Sequence, residues 1–390
     1  PEFKKQWHLF NTGQGNGYDN YDIYAPEAWK INNSSPDVVV AVIDTGIEYY
    51  HDDLDDNIWN NIDEIPDNNI DDDGNGYIDD YLGWDFYHDD NNPDDYHGHG
   101  THVAGTIGAE GNNGIGVTGV TWDVQMMPLK VFHDDPSVKE AYDEVILDAI
   151  YYAVDNGADI VNLSLGGNAF GSTFEDWKKS DPTGYSDYLN AFTHALNNDV
   201  LIVCALGNKE VNTEFNAHIP SDFSQELNNV ISVASINNKA DLSNFSNYGG
   251  VSTISAPGGT TNLSDALEAG IYSTDIGNTY DYKSGTSMAS PVVAGAAALL
   301  KGHDPTLTCT QLKNLLIQGA SNFRWLEDLV PNGNYLDIYN SLLLAPKFYV
   351  DNDSNGLVDN SSTYRIYTAS GPISITNSVG NTFSDSTNIN

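Results

Sequence analysis

The feature that most limits how this chain can fold is a set of short, largely apolar runs, each too brief for a helix. They lie at 38–43 (VVVAVI), 125–131, 160–163, 200–205 and 230–234. A strand with one wet face alternates apolar and polar side chains, so a continuous apolar run reads as a strand covered on both faces, as in parallel sheets. Between the second and third runs, Val138, Ala141, Tyr142, Val145, Ile146, Ala149, Ile150, Ala153 and Val154 recur at helical spacing before Gly157. That spacing predicts an amphipathic helix over 138–157. Strands alternating with helices predict an α/β fold, a mostly parallel central sheet with helices on both faces. Catalytic or binding groups then belong at the carboxyl ends of the strands. From about residue 346 the chain turns rich in Ser, Thr, Asn and Gly, with alternating runs such as TYRIYTA and PISITN. A boundary is expected near Ala345, followed by a short β-rich C-terminal extension over 346–390.

The charge narrows the partners. With 15 Lys and Arg against 56 Asp and Glu, the chain carries a net charge of −41. It should repel phosphate backbones and anionic lipid, so neither nucleic acid nor a membrane is expected as a partner, and cations are its natural counter-partners. The N-terminal PEFKKQWHLF lacks the apolar stretch and cleavage site of a signal peptide, so a signal has been removed or never existed. Cys204 and Cys309 are too few for a disulfide framework. Cys204, in VLIVCAL, reads as a buried small hydrophobe.

Three motifs carry chemistry. AVIDTGIEYYHDDL places Asp44 at the end of the first strand; HGHGTHVAGTIGA opens a small-residue helix at His99; SGTSMASPVVAGAAALL opens another at Ser287, with Pro291 close to its start. A serine hydroxyl is a poor nucleophile until an imidazole takes its proton, and the imidazole needs a carboxylate to fix its tautomer and stabilise its charge. Asp44, His99 and Ser287 supply those three roles.

In that order and with those flanks, the chain resembles the subtilases, subtilisin-like serine endopeptidases, over roughly residues 6–345, from QWHLFNTG to a closing helix at YLDIYNSLL. The resemblance implies an α/β fold and peptide-bond hydrolysis through an acyl-enzyme on Ser287. Asp44 matches the family's triad aspartate, His99 its general base and Ser287 its nucleophile, while His97 and His102 read as structural. Asn208, in ALGN, matches the asparagine that donates to the oxyanion. The segment NLSLGG resembles the strand that binds substrate in extended form. Ser164, Leu165 and Gly166 are then expected on one wall of the primary pocket, with Ala205, Leu206 and Gly207 on the other. Leu165 reads equally as plain core. Lys209 at the rim would favour acidic or neutral side chains before the cut bond.

The link between Asp44 and His99 is longer than in compact members of the family, and its surplus, an acidic insertion at about 57–82, contains IDDDGNGYIDD. Read as a calcium loop, Asp71, Asp73 and Asn75 fall at positions 1, 3 and 5. Gly76 makes the sharp turn, Tyr77 offers a carbonyl, Ile78 anchors the loop, and Asp79 falls at position 9. Leu82 stands where a bidentate glutamate belongs, and Asp80 is a substitute ligand, so binding is expected at about 10⁻⁴–10⁻³ M. DNDSNGLVD, at 351–359, repeats the pattern with Asp351, Asp353, Asn355 and Asp359. The family resemblance adds a third candidate, Asp53 with Asn113 of GNNGIGV.

Together these readings predict a secreted, monomeric serine endopeptidase stabilised by Ca2+. It would be seen without its signal and N-terminal pro-segment and would act on protein or peptide substrates. Residues 1–345 form its peptidase domain. A catalytically silent peptide-binding module and a calcium-dependent surface protein are the alternatives; the complete triad with Asn208 disfavours the first, and the short tail gives the second little area.

Overall fold

The computed structural model describes residues 1–138, 140–262 and 266–345, together with the backbone of two short paired strands, Ser374–Thr376 and Thr382–Ser384. The five apolar runs become neighbours in one sheet. In chain order the strands are β1 (Val39–Asp44), β2 (Trp84–Asp85), β3 (Gln125–Lys130), β4 (Ile160–Leu163), β5 (Gly167–Ala169), β6 (Leu201–Ala205), β7 (Ala217–Ile219), β8 (Val230–Ile236), β9 (Ile254–Pro257), β10 (Ile271–Asp275), β11 (Thr279–Lys283), β12 (Ser321–Asn322) and β13 (Asn334–Tyr335). Nine of them form the central sheet in the order β12-β13-β9-β8-β6-β4-β1-β3-β2. Every pair in it is parallel except β12 with β13. The pairs β5–β7 and β10–β11 are antiparallel.

Successive side chains of a strand point to opposite faces, and here both faces are dry. Val40, Val42, Leu201, Val203, Ile231 and Val233 join the helices His99–Gly108 and Thr286–His303 in one core. Val39, Ala41, Ile43, Val161, Leu163, Ile202 and Cys204 join the helices Asp143–Asp155 and Pro182–Asn197 in the other. Both helices that carry a triad residue therefore lie on the same face. Burial raises the Cys204 thiol far above its usual range, which keeps it inert.

The helix expected over 138–157 is shorter, Asp143–Asp155. It starts after Tyr142, which is extended, and its first turn holds Asp143 and Glu144, where the positive end of the helix favours carboxylates. The chain closes on the helix Ile338–Leu344, capped by the Asp337 side chain. Among the described residues no helix is long and apolar enough to cross a membrane.

Candidate active site

Sheet register brings the site together. Ile43 pairs with Leu163, and Leu163 with Cys204, so Asp44, Ser164 and Ala205 stand level at the carboxyl edge of three adjacent strands. Asp44 is fully buried. Its Oδ1 accepts from Thr45 N at 2.7 Å and meets His99 Nδ1 at 2.6 Å, while Oδ2 has no partner. The approach needs a glycine after His99: a Cβ on Gly100 would lie 2.0 Å from the Gly46 carbonyl oxygen and 3.1 Å from Asp44 Cβ. Burial alone would lower the His99 pKa, but the Asp44 charge and hydrogen bond, with Asp95 adding to them, outweigh burial and the Lys283 charge and raise it above 6.5.

Ser287 is the second residue of the helix Thr286–His303. Its Oγ donates to the Ser164 carbonyl at 3.1 Å, so the hydroxyl must swing toward His99 Nε2 before its proton can move. Pro291 sits in the helix interior rather than near its start. Lacking an N–H, it cannot bond the carbonyl four residues earlier, which is that of Ser287. Ser164 Oγ fills the vacancy, donating to Ser287 O at 2.9 Å and so tying the nucleophile to the pocket wall.

Asn208 is held by one end. Its Oδ1 accepts from Thr286 N at 2.8 Å and from Thr286 Oγ1 at 3.0 Å, which leaves Nδ2 to donate outward. A methyl group placed on Gly285 would sit 3.6 Å from both Asn208 Nδ2 and Ser287 N, so the two nitrogens border one space. Such a pair suits a developing oxyanion.

The flanking histidines have structural roles. His97 Nε2 bonds to the His133 carbonyl oxygen, and buried His102 bonds to the carbonyls of Ile271 and Asp281 on β10 and β11. Burial holds the His102 pKa well below its usual value, so its ring is neutral.

Of the residues expected on the pocket walls, Ser164 lies against Ser287, each hydroxyl bonding the other's carbonyl oxygen. Leu165 packs on the second core and also lines a cleft with Gly166, Ile146, Trp177 and Ile219. Leu206 is a correction: its side chain is fully buried with Ala234, Val251 and Val330, so only its backbone can face a substrate. Ala205 is also buried, and Lys209 is exposed at the rim. Sequence reasoning missed His218, whose ring fills the space between the two glycines of the walls. A Cβ on Gly166 would lie 2.5 Å from its Cε1, and one on Gly207 2.7 Å from its Nε2. Burial lowers its pKa to about 4, so it too is neutral. A lone histidine far along the chain carries no motif, and only the β5–β7 pairing brings it here.

In the acidic insertion, the carboxylates of Glu64, Asp71 and Asp73 come within 4.8 Å of one another. Asn75 lies in the same loop, its amide donating to Asp73 and to Asp80. Gly76 has φ +101° with open space around it, so conformation, not crowding, selects glycine. Hard oxygen donors of this kind fit a calcium ion. Glu64 is the residue the loop pattern could not give, because it enters from outside the loop. Asp72, Asp73 and Asp79 donate their amides to it. Two expectations change. Asp79 turns its carboxylate to the amides of Asn68 and Asn69, away from Asp71 and Asp73. Ile78 is half exposed, and the anchor is instead the Tyr77 ring, which meets Trp84, Phe86 and Tyr152 edge-on. Asp80 is tied to the main fold by Tyr152, whose hydroxyl donates to it at 2.5 Å.

The Asp53 candidate is closed by protein donors. Asn113 Nδ2 lies 2.7 Å from its Oδ1 and Val117 N 2.8 Å from its Oδ2, so Asn113 presents nitrogen, not oxygen, toward the carboxylate. Asp351, Asp353, Asn355 and Asp359 lie outside the described residues.

A model of the subtilase family matches residues 35–372. The chain is 34% identical over 309 residues to a thermophilic serine proteinase of Bacillus sp. (strain AK1), covering 77% of this chain and 63% of that one. It is 32% identical over 351 residues to an extracellular basic protease of Dichelobacter nodosus, covering 83% and 52%. The major intracellular serine protease of Bacillus subtilis (strain 168) is 33% identical over 284 residues, covering 72% and 74%. Among solved structures, a protease of Pseudoalteromonas arctica PAMC 21717 superposes with a TM-score of 0.68 at 28% identity, over 88% of this chain and 98% of that one. The nisin leader peptidase NisP of Lactococcus lactis gives 0.65 at 25%, over 88% and 94%. The chain spans 50% to 63% of the length of several of these curated relatives.

Proposed function

The chain belongs to the subtilase family, and on that footing we propose that it is a serine endopeptidase acting through an acyl-enzyme on Ser287. The observations that carry this are an imidazole already paired to a buried carboxylate and the Asn208 amide, fixed by its oxygen to Thr286 so that Nδ2 and Ser287 N border one space. His99 Nε2 takes the Ser287 proton as Oγ bonds to the scissile carbonyl carbon. The oxyanion then collects N–H bonds from Asn208 and Ser287, while Asp44 stabilises the imidazolium. His99 passes the proton to the leaving nitrogen as the C–N bond breaks, and a water repeats the sequence on the acyl-enzyme. Substrate would lie extended along 164–166, held by main-chain hydrogen bonds.

Calcium belongs to the same proposal. Glu64, Asp71 and Asp73, with Asn75 and Asp80 beside them, would hold the ion, which would supply positive charge to an insertion crowded with carboxylates. The Asp53 site would need Asn113 to turn its amide oxygen toward the ion. Secretion is supported by the name of the Dichelobacter nodosus relative, although the Bacillus subtilis relative is named as intracellular.

A silent peptide-binding module is the second reading, favoured by the Ser287 hydroxyl's bond to Ser164. Labelling with a serine-directed fluorophosphonate, together with casein hydrolysis, separates the two. Labelling that is lost in Ser287→Ala supports the endopeptidase; no labelling of the wild type, or labelling that persists in the variant, refutes it.

A further inference from the structure

Asp95 is a buried carboxylate that the mechanism above does not use, and it is only 4% exposed. It lies between the two segments that present the acid and the base. Its Oδ1 accepts from Thr45 Oγ1 at 2.9 Å and from His97 N at 2.8 Å. Its Oδ2 accepts from Thr101 N at 2.9 Å and Thr101 Oγ1 at 2.8 Å. Thr45 follows Asp44 in the chain, and Thr101 lies two residues after His99. Both hydroxyls are used twice: Thr45 Oγ1 also accepts from Gly100 N, and Thr101 Oγ1 from Glu48 N, each at 2.9 Å. One carboxylate thus orders a closed set of bonds between the β1 turn and the first turn of the His99 helix.

We propose that Asp95 is a positioning residue that clasps the Asp44 turn to the His99 helix and sets a second negative charge against that helix's first turn. This rests on the triad reading given above. The 2.6 Å contact between His99 and Asp44 depends on how these two segments are held against each other, and orientation errors of about 1 Å can cost on the order of 10²-fold in rate. A buried charge also acts with little screening. The charges that act on His99 are Asp44 and Asp95, which favour the imidazolium, and Lys283, which opposes it and is itself paired with Asp275. Neutral His102 lies on the same helix.

Two substitutions separate the clasp from the charge. Asp95→Asn removes the charge and keeps one acceptor; Thr45→Val removes one arm of the clasp and leaves every charge in place. The His99 titration, followed by NMR through the ring Cε1–H, should move to lower pH in Asp95→Asn and stay put in Thr45→Val. In peptide hydrolysis both should lower kcat about tenfold with KM little changed. A residue that served stability alone would lower Tm without moving the titration. An unmoved midpoint in Asp95→Asn overturns the charge, and an unchanged kcat in Thr45→Val overturns the clasp even if Asp95→Asn fails to fold. If the wild type hydrolyses nothing, the endopeptidase reading fails, while the NMR midpoint still tests Asp95.

Discussion

Thr286→Val is expected to damage catalysis chiefly through Asn208, with the bond from Gly207 N to the Thr286 hydroxyl, at 3.1 Å, lost as well. Thr286 is fully buried, and its hydroxyl gives Asn208 Oδ1 one of its two anchors, at 3.0 Å; the other is the Thr286 backbone N–H, at 2.8 Å, which valine keeps. Valine matches threonine in shape, so the change is the loss of hydroxyl bonds rather than of volume. A hydrogen bond of this kind contributes about 0.5–1.5 kcal/mol. If that is lost wholly from the transition state, where alone the Asn208 amide is needed, kcat falls about two- to thirteenfold. KM should hardly move, because the ground-state carbonyl does not use the donor. Asn208→Ala itself should cost about 10²–10³-fold, a loss already known for this kind of donor in a subtilisin. Steady-state hydrolysis of a chromogenic peptide by both single variants and the double variant tests the route. Once Asn208 is gone its anchor has nothing to hold, so Thr286→Val should then add less than about twofold. If it lowers kcat as much without Asn208 as with it, or raises KM in proportion, the hydroxyl acts by some other path and the reasoning is wrong.

Other outcomes follow from the same geometry. Because the His99 pKa is raised above 6.5 and only the neutral ring can accept a proton, kcat/KM should fall as pH drops through a midpoint above 6.5; a midpoint below 6.5 would contradict the ordering of charges at the site. If calcium binds with a Kd of about 1 mM, 10 mM should stabilise the fold by about 1.4 kcal/mol and raise Tm by a few degrees. Scanning fluorimetry should show that gain lost in Glu64→Gln, and an equal gain in variant and wild type would remove Glu64 from the site. Gly100→Ala must push the His99 helix off the Gly46 carbonyl, so activity should fall by about 10²-fold or more, and a wild-type rate would show that the contact can relax.

Much of this arrangement was legible along the chain. The largely apolar runs identified β1, β3, β4, β6 and β8, since a strand dry on both faces does not alternate regularly. The residue types of the triad follow from what a serine needs in order to attack. The loop spacing brought Asp71, Asp73 and Asn75 together, because groups at fixed steps in one tight loop must lie close. What the chain hid is what arrives from a distance. Glu64 joins the loop from outside it, His218 reaches the pocket only through the pairing of β5 with β7, and Tyr152 anchors Asp80 from a helix on the far side of two strands in sequence.

Orientation was hidden as well. Leu206 and Asp79 stand at the expected positions, but their side chains turn elsewhere, one into a core cluster and the other onto backbone amides. The sequence by itself determined which elements form and which chemical groups are available, because patterning and reactivity are properties of neighbouring residues. Tertiary structure alone decided that Asn208 offers its nitrogen, that Pro291 leaves a carbonyl for Ser164 to hold, and that Asp95 spans the acid and the base. Those outcomes depend on which distant backbone groups lack a partner once the sheet has closed, and no local spacing records that.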